Sequence, residues 1–241
     1  MRIPAAVNPD QAMAIAVALC YGLAVAAVVG RGQLRNPWFF VAFVLGAVVF
    51  WVAALLVDPI QALVAYLFGW DIGAYSTSIG VGLVGALIAA TINEIFKLAI
   101  ALPTLSRGGA EADAAAFGAS VGAGFGAIGA YQVLGLALVA RTLHMGAPDN
   151  LVTPLVQQFG FVAANGASTA LAVYGATHGQ LGVCLGAAVL YQTMYGMLGL
   201  LFALQVYALP VWTMLAVGVA LAMLAYAVVL SLPRAAARLT S

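Results

Sequence analysis

The apolar positions of this chain neither alternate nor return with a helical period; they run on. Stretches of about 20 apolar residues, the length a helix needs to cross a bilayer core, occupy 11–29, 38–57, 79–102, 114–139, 156–176, 181–204 and 209–232. These runs, joined by linkers too short to hold a folded domain, predict an all-α membrane protein. The expected architecture is a bundle of seven transmembrane helices forming a single polytopic domain over 1–241. A β-barrel would alternate polar and apolar residues along each strand, and the unbroken Ala, Val and Leu runs argue against it. After the second run, Asp58-Pro59 reads as an N-cap followed by a first-turn proline. It predicts a short interfacial helix over 59–69, ended by Gly69 and anchored by Trp70.

Composition agrees with the pattern. The chain is 65% hydrophobic and 6% charged, with a mean hydropathy of +1.11, and a soluble domain of 241 residues could not cover its surface with so few charges. A net charge of +1 offers no basic patch for nucleic acid. Cys20 and Cys184 lie inside apolar runs and read as small buried hydrophobes. His144 and His178 fall at the ends of runs without ligand spacing, so neither a metal nor another cofactor is expected. The basic residues suggest an orientation. With seven spans, Arg31, Arg35, Arg107, Arg234 and Arg238 share one side, while Arg2, Arg141, Asp58, Asp71 and Asp149 share the other. The positive-inside rule then puts the N-terminus outside and the C-terminus in the cytoplasm of a multi-pass cell-membrane protein. Asp10 stands directly before the first run, which reads as a retained span rather than a cleaved signal peptide.

The chemistry gathers in the third run. "TINEIFKLAI" (91–100) sets Asn93, Glu94 and Lys97 within five residues of one another. On a helical wheel Gly82, Ala86, Ala89, Ala90, Asn93 and Lys97 share an arc with Glu94 at its edge, so the polar residues occupy the small-residue face where helices approach closely. Glu94 lies roughly 12 Å from the cytoplasmic end of its span at 1.5 Å per residue, too deep for a carboxylate to reach water, and it needs a partner. Lys97, at i+3, can supply one. The fourth run carries Gly118, Gly122, Gly126 and Gly129 on one arc, which predicts a close-packed neighbouring helix and no ligand. The fifth places Asn165 and Thr169 four apart with Ser168 beside them; the sixth places Gln192 one turn from Gly196, between Tyr191 and Tyr195. Ser and Thr can bond to their own helix and are weak indicators. Asn165 and Gln192 are stronger, and the expected cluster is Asn93, Glu94, Lys97, Asn165, Thr169 and Gln192.

These motifs carry a resemblance. "NEIFK" (93–97) resembles the EExxK motif of the PrsW-type glutamic intramembrane proteases, related to the wider CPBP (Abi) membrane proteases. "GASVGAGFGAIG" (118–129), with Asp113 five residues before it, resembles their GxxxGxGFxxxE segment, and "NGAST" (165–169) their HxxxT stretch. The likeness covers roughly 80–180 and implies a protease-like core over 79–204. The departures fall on the chemistry: Asn93 replaces the first glutamate, Gly129 the closing one and Asn165 the histidine. The chain is also similar to the seven-helix scaffold subunit of gamma-secretase (anterior pharynx-defective), a non-proteolytic branch of the same superfamily. Its QEVFR stretch resembles "NEIFK", its second span resembles "GAVVFWVAALL" (46–56), and its two buried histidines would fall near Asn165 and Gln192.

The resemblance implies a degenerate, non-catalytic member: a pseudoprotease that scaffolds or binds other transmembrane proteins, a single-span helix or a lipid. Two other readings stay open. One is an active glutamic intramembrane protease using Glu94 as its catalytic residue. The other is a small-solute or ion carrier, against which stands the lack of an inverted repeat.

Overall fold

The computed structural model describes residues 9–109, 113–142, 152–204 and 209–231, and every regular element among them is helical. In chain order these are α1 (Pro9–Val29), a 3-10 turn (Arg31–Gln33), α2 (Pro37–Phe68), α3 (Ala74–Thr77), α4 (Ile79–Arg107), α5 (Ala114–Thr142), α6 (Val152–Thr177), α7 (Leu181–Ala203) and α8 (Leu209–Ser231). Six of them, α1, α2, α4, α5, α7 and α8, are long and apolar enough to cross a membrane. The stretch read as the fifth span is the 26-residue α6, whose amides and hydroxyls keep it out of that set.

The interfacial helix expected over 59–69 is not a separate element. α2 runs unbroken for 32 residues through Asp58 and Pro59 to Phe68. Proline removes one backbone donor, leaving the Leu55 carbonyl without its i→i−4 bond, a loss that long apolar helices tolerate. The end was read correctly: Gly69 closes α2 in the left-handed conformation, at φ 66°, which only glycine adopts freely. The end of α2 is fastened to α4, where Gln61 Nε2 donates to Gly85 O at 3.0 Å, and the Tyr75 hydroxyl donates to Gln61 O at 2.9 Å.

α5 and α6 form the centre of the bundle. α1 and α2 flank α5, α7 and α8 flank α6, and α4 lies across α2 and α7 while touching both central helices. In the most apolar stretch of α5, 61% of residues are buried, against 22–33% for the other five apolar helices. Small residues rather than hydropathy bring it inside, since α1, α2 and α8 are more apolar and yet more exposed. Glycine sets its spacing. A Cβ at Gly118 would sit 2.6 Å from Thr169 O, one at Gly126 would sit 2.9 Å from Val162 Cα, and one at Gly122 would overlap the Asn165 carbonyl. The first three glycines of the arc therefore meet the α6 backbone directly. Gly129 instead makes room for the rings of Phe161 and Phe50. On the other side of α5, a Cβ at Gly124 would overlap Phe43 O, and the Ser120 hydroxyl donates to Phe39 O at 2.7 Å.

One end of the bundle collects the loop after α1, the end of α4, the start of α5 and the end of α8. Arg31, Gln33, Asp113 and Ser231 line a common cavity there. Asn36 Nδ2 donates to Gly108 O at 2.8 Å, and the Arg107 guanidinium lies 5.2 Å from the Trp38 ring centre. Asp113 caps α5, its carboxylate accepting the Ala116 N–H at 2.6 Å. Arg2, His144, Asp149, Arg234 and Arg238 lie outside the described residues. Cys184 is buried as expected, whereas Cys20 is exposed on the outer side of α1.

Candidate functional site

α4 presents polar groups on two sides. On the side facing α5 and α6, Glu94 and Lys97 are both fully buried and joined Oε1 to Nζ at 2.6 Å. A lysine ammonium has three protons to place. One goes to Glu94 and one to Asn165 Oδ1 at 3.0 Å, and Nζ also stands 5.0 Å from the centre of the Phe125 ring, within range of a cation–π attraction. Glu94 Oε1 also accepts the Ser168 hydroxyl at 2.6 Å. Oε2 is reached by the Thr169 hydroxyl at 3.4 Å, a hydroxyl that lies closer to Asn165 O, at 2.9 Å. Asn165 donates its Nδ2 to Phe161 O at 3.0 Å, and Gln192 Nε2 donates to Ser168 Oγ at 2.9 Å. Helices α4, α6 and α7 are thus tied by one network that carries no net charge.

Five of the six residues expected to converge do so: Glu94, Lys97, Asn165, Thr169 and Gln192. Ser168, discounted because it can bond to its own helix, is the link between Glu94 and Gln192. Asn93 does not join. One residue along a helix is a turn of about 100°, and that turn points Asn93 away from Glu94 into a neighbouring cavity.

That cavity, of about 290 Å³, lies between three helices. α4 contributes Ala86, Ala89, Ala90 and Asn93; α6 contributes Gln157, Gln158 and Phe161; α7 contributes Gln192, Tyr195, Gly196 and Gly199. Its polar lining is amide and phenol, with no charged side chain. Gln157 Nε2 is buried without a hydrogen-bond partner, while the Tyr195 hydroxyl reaches Gln157 O at 3.4 Å. Gln192 belongs to both regions, lining the cavity and reaching Glu94 through Ser168. Gln157, Gln158 and Tyr195 were not anticipated as site residues. The signal was two consecutive amides inside an otherwise apolar run.

Chemically, the buried pair is occupied. General acid–base work needs a group poised over water, whereas the Glu94 carboxylate has no exposed surface and is held by a lysine and hydroxyls. Among the described residues no three His, Cys, Asp or Glu side chains gather as metal ligands would. No protein-family model, curated protein or solved structure matches the chain.

Proposed function

We propose that this chain is a non-catalytic intramembrane binding or scaffold protein, a pseudoprotease built on the framework of the glutamic intramembrane proteases. Its seven long helices, α6 among them, cross the cell membrane with the N-terminus outside and the C-terminus cytoplasmic. The arginines 31, 35 and 107, near the bundle end that also holds the end of α8, support that orientation. The observation that carries the reading is the state of Glu94. Its carboxylate is fully buried and paired with Lys97, and the neighbouring cavity displays amides, Asn93 where the resemblance puts the first glutamate and Gln192 near where it puts a histidine. A cavity of this kind binds without reacting.

The test is incubation of the purified protein, beside its Glu94→Gln variant, with single-span substrates in proteoliposomes. Neither is expected to produce fragments above a protein-free control. Cleavage by the parent protein that the Glu94→Gln change abolishes would overturn the proposal in favour of a protease.

A further inference from the structure

The cavity between α4, α6 and α7 reaches the centre of the membrane. Asn93 is the middle residue of the 29-residue α4 and Gln192 the middle residue of the 23-residue α7, and both line it. At 1.5 Å per residue Asn93 lies roughly 21 Å, and Gln192 roughly 17 Å, from either end of its helix. In a hydrocarbon core about 30 Å thick, that is the level farthest from bulk water. From there the lining climbs past Phe161 to Gln158 and Gly199, towards the end of the bundle where α4 and α6 begin and α7 ends. In the other direction it stops. Glu94, Lys97, Ser168 and Thr169 are fully buried, and the α6 backbone lies against Gly118 and Gly122 of α5.

Asn93 is half-buried, and none of the described residues hydrogen-bonds its side chain. An amide left without a partner in hydrocarbon is costly, so whatever fills the cavity has to hydrogen-bond at mid-depth. An acyl chain has no donor or acceptor to offer. The ester carbonyls of a bilayer lipid stand at the edge of the core, too far from Asn93 to serve it. An ion would lose its hydration against a lining with no charged side chain. Water fits. A cavity of about 290 Å³ has room for several molecules at ~30 Å³ each, and the amide and phenol groups of its wall give them partners.

We infer that this cavity is a water-filled vestibule, open at the end where α6 begins and closed at mid-membrane by the Glu94–Lys97 network. Its floor hydrates Asn93 and Gln192, and its uncharged wall admits small neutral polar molecules while excluding ions. The inference goes beyond the scaffold reading and does not depend on it.

The test is alkylation of single cysteines by iodoacetamide, a small uncharged amide. The full chain, carrying Cys20→Ala and Cys184→Ala, is reconstituted in phosphatidylcholine liposomes. The thiolate is the reacting form, and a thiol in hydrocarbon does not ionise, so the rate reports water. Asn93→Cys and Gly196→Cys are compared with two references. Asp71→Cys is exposed in the segment between α2 and α4; Met194→Cys is exposed on α7 within a turn of Gly196 but outside the cavity lining. Both cavity cysteines are expected to react at least about tenfold faster than Met194→Cys and within about tenfold of Asp71→Cys. A Cβ at Gly196 meets only Ala86 Cβ, at 3.6 Å, an ordinary contact, so that variant leaves the packing intact. Reaction of both at the Met194→Cys rate would overturn the inference by showing a cavity filled with lipid. Fast reaction at 196 with slow reaction at 93 in a folded variant would overturn it too, since water would then stop short of the centre.

Discussion

Asn93 and Glu94 are adjacent in sequence and live in different worlds. Glu94 faces a closed network in which an ammonium, hydroxyls and amides meet one another at 2.6–3.4 Å, with Glu94, Lys97, Ser168 and Thr169 fully buried. Asn93 faces a cavity whose polar lining is amide and phenol, with no charge. The closed side spends its polarity on holding α4, α6 and α7 together, while the open side keeps its polarity available. In a reactive membrane enzyme the ionisable group would face the cavity. Here the charges are turned inward and neutral amides look out, so architecture and binding are separated by one residue of helix.

Breaking the closed side should have the largest effect. Lys97→Met leaves a carboxylate buried without its counter-charge, and the expected loss is about 3–5 kcal/mol, read as a lowered unfolding midpoint in detergent. The double variant Glu94→Gln/Lys97→Met removes both charges and should recover much of that loss. If the double variant is no more stable than Lys97→Met, the pair is not the closed unit described. Ser168→Ala comes next, since it takes the bridging hydroxyl from Glu94 and Gln192 together, at about 1–3 kcal/mol. The smallest effect belongs to the open side. Gln157→Met deletes a donor that has no partner, so the unfolding midpoint should stay put or rise slightly, with any change under about 1 kcal/mol. A large destabilisation there would show that the cavity is as structural as the ion pair, and the contrast between the two sides would collapse.

The helices were legible because apolar runs of bilayer length leave few alternatives, and their bounds agree to within a few residues for α1 and α8. The longer α2 and α4 extend past the apolar runs that mark them. Pro59 reads as the first turn of a new helix yet sits inside α2, and α4 likewise runs past the apolar limit at 102 through Pro103 to Arg107. Convergence of the cluster was readable from residue type, because buried amides and charges must find partners. Two details were not. Ser168 has bonds open to it along its own helix, so its inter-helix role depends on which neighbours arrive. Asn93 sat on the same arc as Lys97, and only the positions of α6 and α7 decide that the arc divides into a sealed part and an open one.

α6 has a further consequence, for how the chain is made. It is the long helix that falls short of the apolarity needed to cross a membrane alone, yet Val162, Ala163, Ala164, Ser168 and Thr169 have no exposed surface at all. Asn165 and Ser168 find their cross-helix partners on α4 and α7, and the backbone of α6 fits only against the glycines of α5. Taken alone into an apolar phase, α6 would leave Asn165 Oδ1 without the Lys97 ammonium it accepts from. During synthesis it is therefore a helix that depends on company. α5 has to be present to receive it, and α7, made after it, completes the set of contacts that lets it stay.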